Sequence, residues 1–236
     1  MRILAFDSTA ITASVAVAED EKLIAEITLN NGNTHSQTLL PMAESLFTML
    51  GITADDIDLF AVSEGPGSFT GVRIGAATVK GLAFGRDAQC IGVSTLEALA
   101  FNLRGYKGVI CPVMNARRSQ VYTAIFESDG ESITRLTEDM AIAAEELDER
   151  LASLGKEVRL CGDGIEVALE NFTKTAPKRV PENETYQSGY SVAMVALAKY
   201  CEGVRGSDAE LAPTYLRLSQ AERERLEREN NKEVKI

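Results

Sequence analysis

One histidine, His35, stands among 236 residues, and tryptophan is absent. A lone imidazole excludes an H-x-x-x-H metal pair, and a Ser-His-Asp triad would have to be assembled around this single residue. Its place just ahead of an apolar run makes it a polar residue at a helix start. Cysteine is sparse as well. Cys90, Cys111, Cys161 and Cys201 lie far apart in apolar segments without C-x-x-C spacing, which excludes a disulfide framework and a zinc site and reads as buried free thiols. Positive charge is in deficit: 24 Lys and Arg face 35 Asp and Glu, and a net charge of −11 argues against nucleic acid as a direct partner. No apolar stretch is long enough to cross a bilayer, and Met1-Arg2 runs into Ile3-Leu4-Ala5-Phe6 without a charged-apolar-small signal pattern. A cytoplasmic protein with no membrane partner is expected.

What the chain does have is a 45% hydrophobic content with a mean hydropathy of −0.05, enough to bury a sizeable core. Three strands are predicted over Ile3–Ser8, Ala13–Ala18 and Leu23–Leu29, and their short connections make them antiparallel neighbours. Thr34 and Gln37 stand at capping-box spacing before an apolar run that ends at Gly51, which predicts a first helix. A fourth strand over Asp58–Ser63 feeds a second helix, giving the order βββαβα over residues 2–86. The same order recurs downstream, with strands at Gly108–Met114, Gln120–Phe126 and Ile133–Leu136, a helix at Ala143–Leu154, a strand at Val158–Cys161 and a helical piece at Gly164–Phe172. A helix over Thr95–Leu103, capped by Ser94, bridges the copies. A further helix over Ser191–Cys201, an extended Ala212–Arg217 and a charged tail helix over Ala221–Asn230 complete the chain. The domain division that follows is 1–104, 105–218 and a tail at 219–236.

The densest signal is Glu64-Gly65-Pro66-Gly67-Ser68-Phe69-Thr70-Gly71-Val72-Arg73-Ile74-Gly75. Glycine inside a helix costs about 1 kcal/mol relative to alanine, so a helix carrying Gly71, Gly75, Ala77 and Gly81 is expected to recover that cost through close backbone approach, by a partner helix of this chain or another. The loop also reads as amides at a helix N-terminus with Ser68 as N-cap. It is not a P-loop, since no Lys-Ser or Lys-Thr follows the glycines. In the first helix Leu39, Ala43, Leu46 and Leu50 make one apolar stripe, and Met42 and Met49 broaden it toward a second face. The expected partner surface therefore combines His35, Leu39, Met42, Leu46 and Met49 with Gly71, Arg73, Gly75, Ala77, Lys80 and Gly81.

Asp7-Ser8-Thr9, at the end of the first strand, offers one carboxylate and two hydroxyls. That set suits a phosphate turn with hydrated magnesium, and equally an ordinary tight turn. Arg117 and Arg118 make a guanidinium pair on a turn after Met114, suited to an anion or partner contact and equally to a solvated surface.

These segments resemble the bacterial TsaB (YeaZ) family. The resemblance rests on Ile3 to Thr9, Thr34-His35-Ser36 with Leu39-Leu40-Pro41, the Gly65–Gly75 string, Asn115-Ala116-Arg117-Arg118 with Val121-Tyr122, Cys161-Gly162-Asp163-Gly164, and Pro213-Thr214-Tyr215-Leu216-Arg217. It implies an α/β protein of the actin-like ATPase (ASKHA) fold with two related βββαβα lobes. It also implies a dimerisation subunit that supports a TsaD-like transferase in forming N6-threonylcarbamoyladenosine at position 37 of ANN-decoding tRNAs. Catalysis would lie in the partner. The implied associations are a heterodimer with the TsaD-like paralogue, a TsaE-like ATPase reached through the complex, a homodimer when alone, and tRNA only indirectly. No tightly bound cofactor is expected, ATP or ADP with magnesium belonging to the complex. A free-standing ASKHA phosphotransferase is the alternative reading, and a peptidase a distant third. Asp7 is followed by Ser8, where nucleotide-binding members often carry glycine.

Overall fold

The computed structural model describes residues 1–217. Arg2–Asp7 (β1), Ala13–Glu19 (β2) and Lys22–Leu29 (β3) pair as antiparallel neighbours, and β1 and β2 are buried on both faces, which is why they read as near-continuous apolar runs. His35–Leu50 (α1), Leu59–Gly65 (β4), Phe69–Ala83 (α2) and Gln89–Ser94 (β5) complete the first lobe. Because β4 runs parallel to β1 and β5 parallel to β4, the sheet order is β3-β2-β1-β4-β5. Local signals explain most boundaries. Gly51 closes α1 in the left-handed conformation at φ 65°, donating its N–H to the Phe47 carbonyl. Ser68 Oγ caps α2 by accepting from the Gly71 amide at 3.3 Å. The capping box expected of Thr34 and Gln37 does not form, since the Thr34 side chain makes no cap. Helix α2 ends at Ala83, short of Gly85.

Thr95–Phe101 (α3) wedges between the lobes: Ala98 joins the core against the first sheet, while Leu96, Leu99 and Ala100 pack with Ile110, Met114 and Phe126 of the second. The second lobe runs Lys107–Asn115 (β6), Gln120–Thr123 (β7), Phe126–Asp129 (β8), Ile133–Arg135 (β9), Met140–Ala143 (β10), Ala144–Leu154 (α4), Val158–Cys161 (β11), Ile165–Asn171 (α5) and Lys178–Arg179 (β12). Its order β10-β7-β6-β11-β12 matches the first sheet position by position, with β6 in the place of β1 and β11 in that of β4. Two strands differ from the expected ones. The single strand expected over 120–126 is two, β7 and β8, which keep one register on β6 from Val113↔Thr123 to Ile110↔Phe126 and part opposite Pro112, a residue with no N–H to give the ladder. The third strand is broken likewise, β9 lying on β8 and β10 on β7, so Ile133–Leu136 marks only its first half.

After a short turn of helix at Glu182–Thr185 (α6), Gly189–Cys201 (α7) crosses back to the first sheet, where Val192, Ala193 and Val195 pack against Ile3, Ala5, Leu59 and Ala61. Gly189 allows this, because a Cβ there would sit 2.7 Å from the Ala16 nitrogen. Helix α7 thus follows the second sheet in sequence and packs on the first. Residues 205–217 then run along the far edge of the first sheet, with the Cys90 amide donating to the Gly206 carbonyl at 2.9 Å. Cys90, Cys111 and Cys161 are buried, but Cys201 is exposed, against the expectation of four buried thiols. The tail at 219–236, with the helix expected over Ala221–Asn230, lies outside the described residues. Among the described residues no helix is long and apolar enough to cross a membrane. Together the duplicated sheets and the bridging α3 form the actin-like ATPase (ASKHA) fold.

Candidate functional site

Each lobe ends its first strand on a side chain that folds the following turn. Asp7 Oδ1 accepts from the Thr9 amide at 2.9 Å, and Asn115 Oδ1 accepts from the Arg117 amide at 2.8 Å, the same i to i+2 closure in both copies. A glycine loop packs on each turn. Ser68 N donates to the Thr9 carbonyl at 2.7 Å in the first lobe, and Gly164 N to the Val113 carbonyl at 2.9 Å in the second. The four loops face one another across a cleft of about 860 Å³, which Tyr122, Asp163 and Thr214–Arg217 help to line.

The chemistry of the first turn is consumed within the chain. Asp7 is 1% exposed and accepts from Thr9 N, Thr9 Oγ1 at 2.7 Å and Ser63 Oγ at 2.5 Å. Burial pushes its carboxyl above the usual aspartate value, against the lowering effect of the Ser63 and Thr9 hydrogen bonds. Ser8 Oγ donates to the Gly71 carbonyl at 2.9 Å. A Cβ on Gly71 would overlap the Ser8 carbonyl oxygen, and one on Gly67 would lie 2.5 Å from that of Thr9. The nucleotide that this fold family implies would set its phosphates between this turn and the glycine loop; the Asp7 carboxyl, the Ser8 and Thr9 hydroxyls and the Thr9 and Ser68 amides are already paired and the two loops are in contact at Gly67 and Gly71, so the residues do not fit a phosphate between them. Among the described residues, no group of three or more His, Cys, Asp or Glu is placed to hold a metal ion.

The same contacts correct the reason given for the glycines. Gly71 and Gly75 are buried against this chain's own Ser8 and Val62, so the close backbone approach is internal rather than to a partner helix. Leu39, Met42 and Leu46 belong to the core between α1, α2 and the first sheet, and are likewise unavailable to a partner. Of the expected partner residues, Met49, Arg73, Ala77 and Gly81 are exposed, while Lys80 and His35 are half-buried. Gly81 has open space around it. His35 Nε2 meets the Ala10 carbonyl at 2.6 Å, so the one imidazole is engaged with backbone and not with a hydroxyl.

Three features escaped the sequence reading. Phe84, just past α2, is 76% exposed, a second large apolar side chain left outside the core beside the expected Met49, itself 66% exposed. Asp163 lines the cleft, and its carboxyl is pushed up by burial and further by the charge of Asp7, with the Asn115 amide acting the other way. The hairpin residues Arg117, Arg118 and Ser119 all lie at positive φ, 65°, 56° and 54°. The sequence signal for Asp163 is its repeat position: Gly162-Asp163-Gly164 follows β11 as Gly65-Pro66-Gly67 spans the end of β4.

Residues 22–223 match the family model of TsaD, the tRNA N6-adenosine threonylcarbamoyltransferase. The tRNA threonylcarbamoyladenosine biosynthesis protein TsaB of Bacillus subtilis (strain 168) is 32% identical over 231 residues, covering 94% of this chain and 96% of that protein. The protein of the same name from Escherichia coli (strain K12) is 32% identical over 221 residues, covering 92% and 95%. The solved structure of YeaZ from Pseudomonas aeruginosa agrees in fold, with a TM-score of 0.78 at 24% identity over 91% of this chain and 99% of that one. Alike in sequence to TsaB proteins along nearly its whole length, the chain belongs to the TsaB (YeaZ) family.

Proposed function

We propose that this chain is the non-catalytic subunit that binds and supports a TsaD-like threonylcarbamoyltransferase in forming N6-threonylcarbamoyladenosine at position 37 of ANN-decoding tRNAs. The observation that carries the non-catalytic part is the first turn, where the Asp7 carboxyl, the Ser8 and Thr9 hydroxyls and the Thr9 and Ser68 amides have partners inside the chain. No side chain there is left to activate a nucleophile or hold a phosphate. The partner surface is the outer side of α1 and α2, reduced to its exposed members Met49, Ala77, Gly81 and Phe84, with Arg73 at its edge. Met49 at the end of α1 and Phe84 just past α2 are the large apolar side chains that such a partner would cover. Alone, the chain pairs with a second copy through the same face. A TsaE-like ATPase and tRNA join through the complex, and any ATP or ADP with magnesium belongs there. Neither a phosphotransferase nor a peptidase is favoured, because the first needs groups at the turn that are already paired and the second a hydroxyl on His35, whose Nε2 meets the Ala10 carbonyl instead.

The test is reconstitution. Purified chain given threonylcarbamoyl-adenylate and tRNA forms no modified adenosine, and addition of a TsaD-family protein restores it. Turnover by the chain alone would overturn the assignment.

A further inference from the structure

The last described segment, residues 205–217, touches three parts of the molecule in order. At its start the Gly206 carbonyl accepts from the Cys90 amide, which covers the open edge of β5, and Leu211 is buried in the core under α2. In the middle Thr214 N donates to the Glu64 carbonyl at 2.7 Å, and the Thr214 carbonyl lies so close to Gly65 that a Cβ there would overlap it. Tyr215 then stacks on Phe69, ring centroids 4.6 Å apart. Arg73, from the exposed side of α2, lies with its guanidinium carbon 3.9 Å from the Phe69 ring centre and gives its Nε hydrogen to Tyr215 Oη at 2.7 Å. Finally Arg217 donates to the Ala116 carbonyl at 2.7 Å, in the second lobe.

Two of these contacts have unusual positions. The Arg217 bond reaches across the cleft, from a segment anchored on the first lobe to the hairpin whose next three residues all lie at positive φ. That hairpin carries Arg117 into the cleft wall, so fixing Ala116 fixes the cleft's second side. The Arg73 bond joins the same segment to a side chain on the outer surface of α2, only two residues before Tyr215 hands over to Arg217. A displacement of Arg73 therefore has a short covalent route to the interlobe bond, with rigid rings at its near end.

We propose that residues 205–217 are an interlobe clasp, and that the Arg73–Tyr215 joint couples the outer face of α2 to the closure of the cleft. A partner seated on α2 holds Arg73 against Tyr215 and thereby holds Arg217 on Ala116; loss of the joint frees the hairpin. The partner arm of this inference rests on the reading of α2 given under Proposed function, while the intramolecular arm does not.

Hydrogen exchange followed by mass spectrometry on the full chain tests both arms. Arg217→Ala is expected to speed exchange across residues 115–120 about tenfold, the size of one lost hydrogen bond to a charged group, while residues 2–7 and 59–65 keep their protection. Arg73→Ala and the milder Tyr215→Phe, which removes only the hydroxyl, are expected to speed exchange at 214–217 and at 115–120 together. Tyr215→Phe keeps the core and the ring stack, and so serves if either arginine variant fails to fold. Unchanged exchange at 115–120 in Arg217→Ala would overturn the clasp, and a change confined to 214–217 in Arg73→Ala or Tyr215→Phe would overturn the coupling. With a TsaD-family protein added, 115–120 is expected to gain protection in the wild type and not in Arg73→Ala. Absence of any complex would count against the partner reading alone; a complex that leaves 115–120 unchanged would count against the coupling.

Discussion

Asp7 and Asp148 are both buried aspartates, and their surroundings drive them in opposite directions. Burial raises Asp7, whose partners are two hydroxyls and one amide. Burial acts on Asp148 as well, but the amides of Thr173, Lys174 and Thr175, at 2.7, 2.7 and 2.8 Å, outweigh it and hold the carboxyl below its ordinary value of 3.8. A lowered carboxyl contributes stability that is fully present above 3.8 and is lost as pH falls through the folded value. Asp148→Asn, which in either orientation turns its NH₂ toward at least one amide donor, is therefore expected to cost about 1–3 kcal/mol at pH 7. Urea titration should find that gap narrowing at pH 3, and a gap that stays constant with pH would contradict the assignment. The raised carboxyl of Asp7 works the other way: its contribution is full below 3.8 and is lost as pH rises through the folded value. Asp7→Asn is accordingly expected to cost less at pH 7 than at pH 4, and equal costs would contradict it. Ser68 and Gly51 announced their roles in the sequence, because capping is local chemistry. The burial of Asp148 did not, since its donors lie 25 to 27 residues away.

At the scale of the element, α2 carries two kinds of glycine that the sequence does not distinguish. Gly71 and Gly75 face β1 and its turn, where a Cβ meets Ser8; Gly81 faces open space. Gly71→Ala is expected to lower the melting temperature sharply, with a cost of at least the 1–3 kcal/mol typical of overpacking. Gly81→Ala is expected to stabilise the isolated chain by up to about 1 kcal/mol, or roughly 2–4 °C. Calorimetry on the two variants checks the pair, and loss of stability in Gly81→Ala would show that its site is not open. The small-residue pattern was legible as close packing, but its partner was not, because periodicity says which face is small and not what lies against it. The same limit applied to α1, whose Leu39, Met42 and Leu46 turned out to serve the core while Met49 alone of that set stayed outside. In the second lobe the repeated order was legible, but the breaks in its strands were not, since the break between β7 and β8 depends on Pro112 facing residue 124 across the ladder.

At the scale of the whole molecule, duplication explains both the architecture and the cleft. Two copies of one sheet order bring four turns together, and α3, α7 and the 205–217 segment tie the copies to each other. The return of α7 to the first sheet had no local signal, being a choice between two similar apolar faces. In this molecule the first turn closes on its own side chains, and the partner surface proposed above is the outer side of α1 and α2. Sedimentation velocity on the chain mixed with a TsaD-family protein, using wild type and Ala77→Leu, tests that claim most directly. The wild type is expected to form a heterodimer in place of its homodimer, and Ala77→Leu, folded by circular dichroism, to weaken both by about 1–3 kcal/mol, roughly one to two orders of magnitude in affinity. Wild type that forms no complex, or a folded Ala77→Leu that associates unchanged, would contradict it.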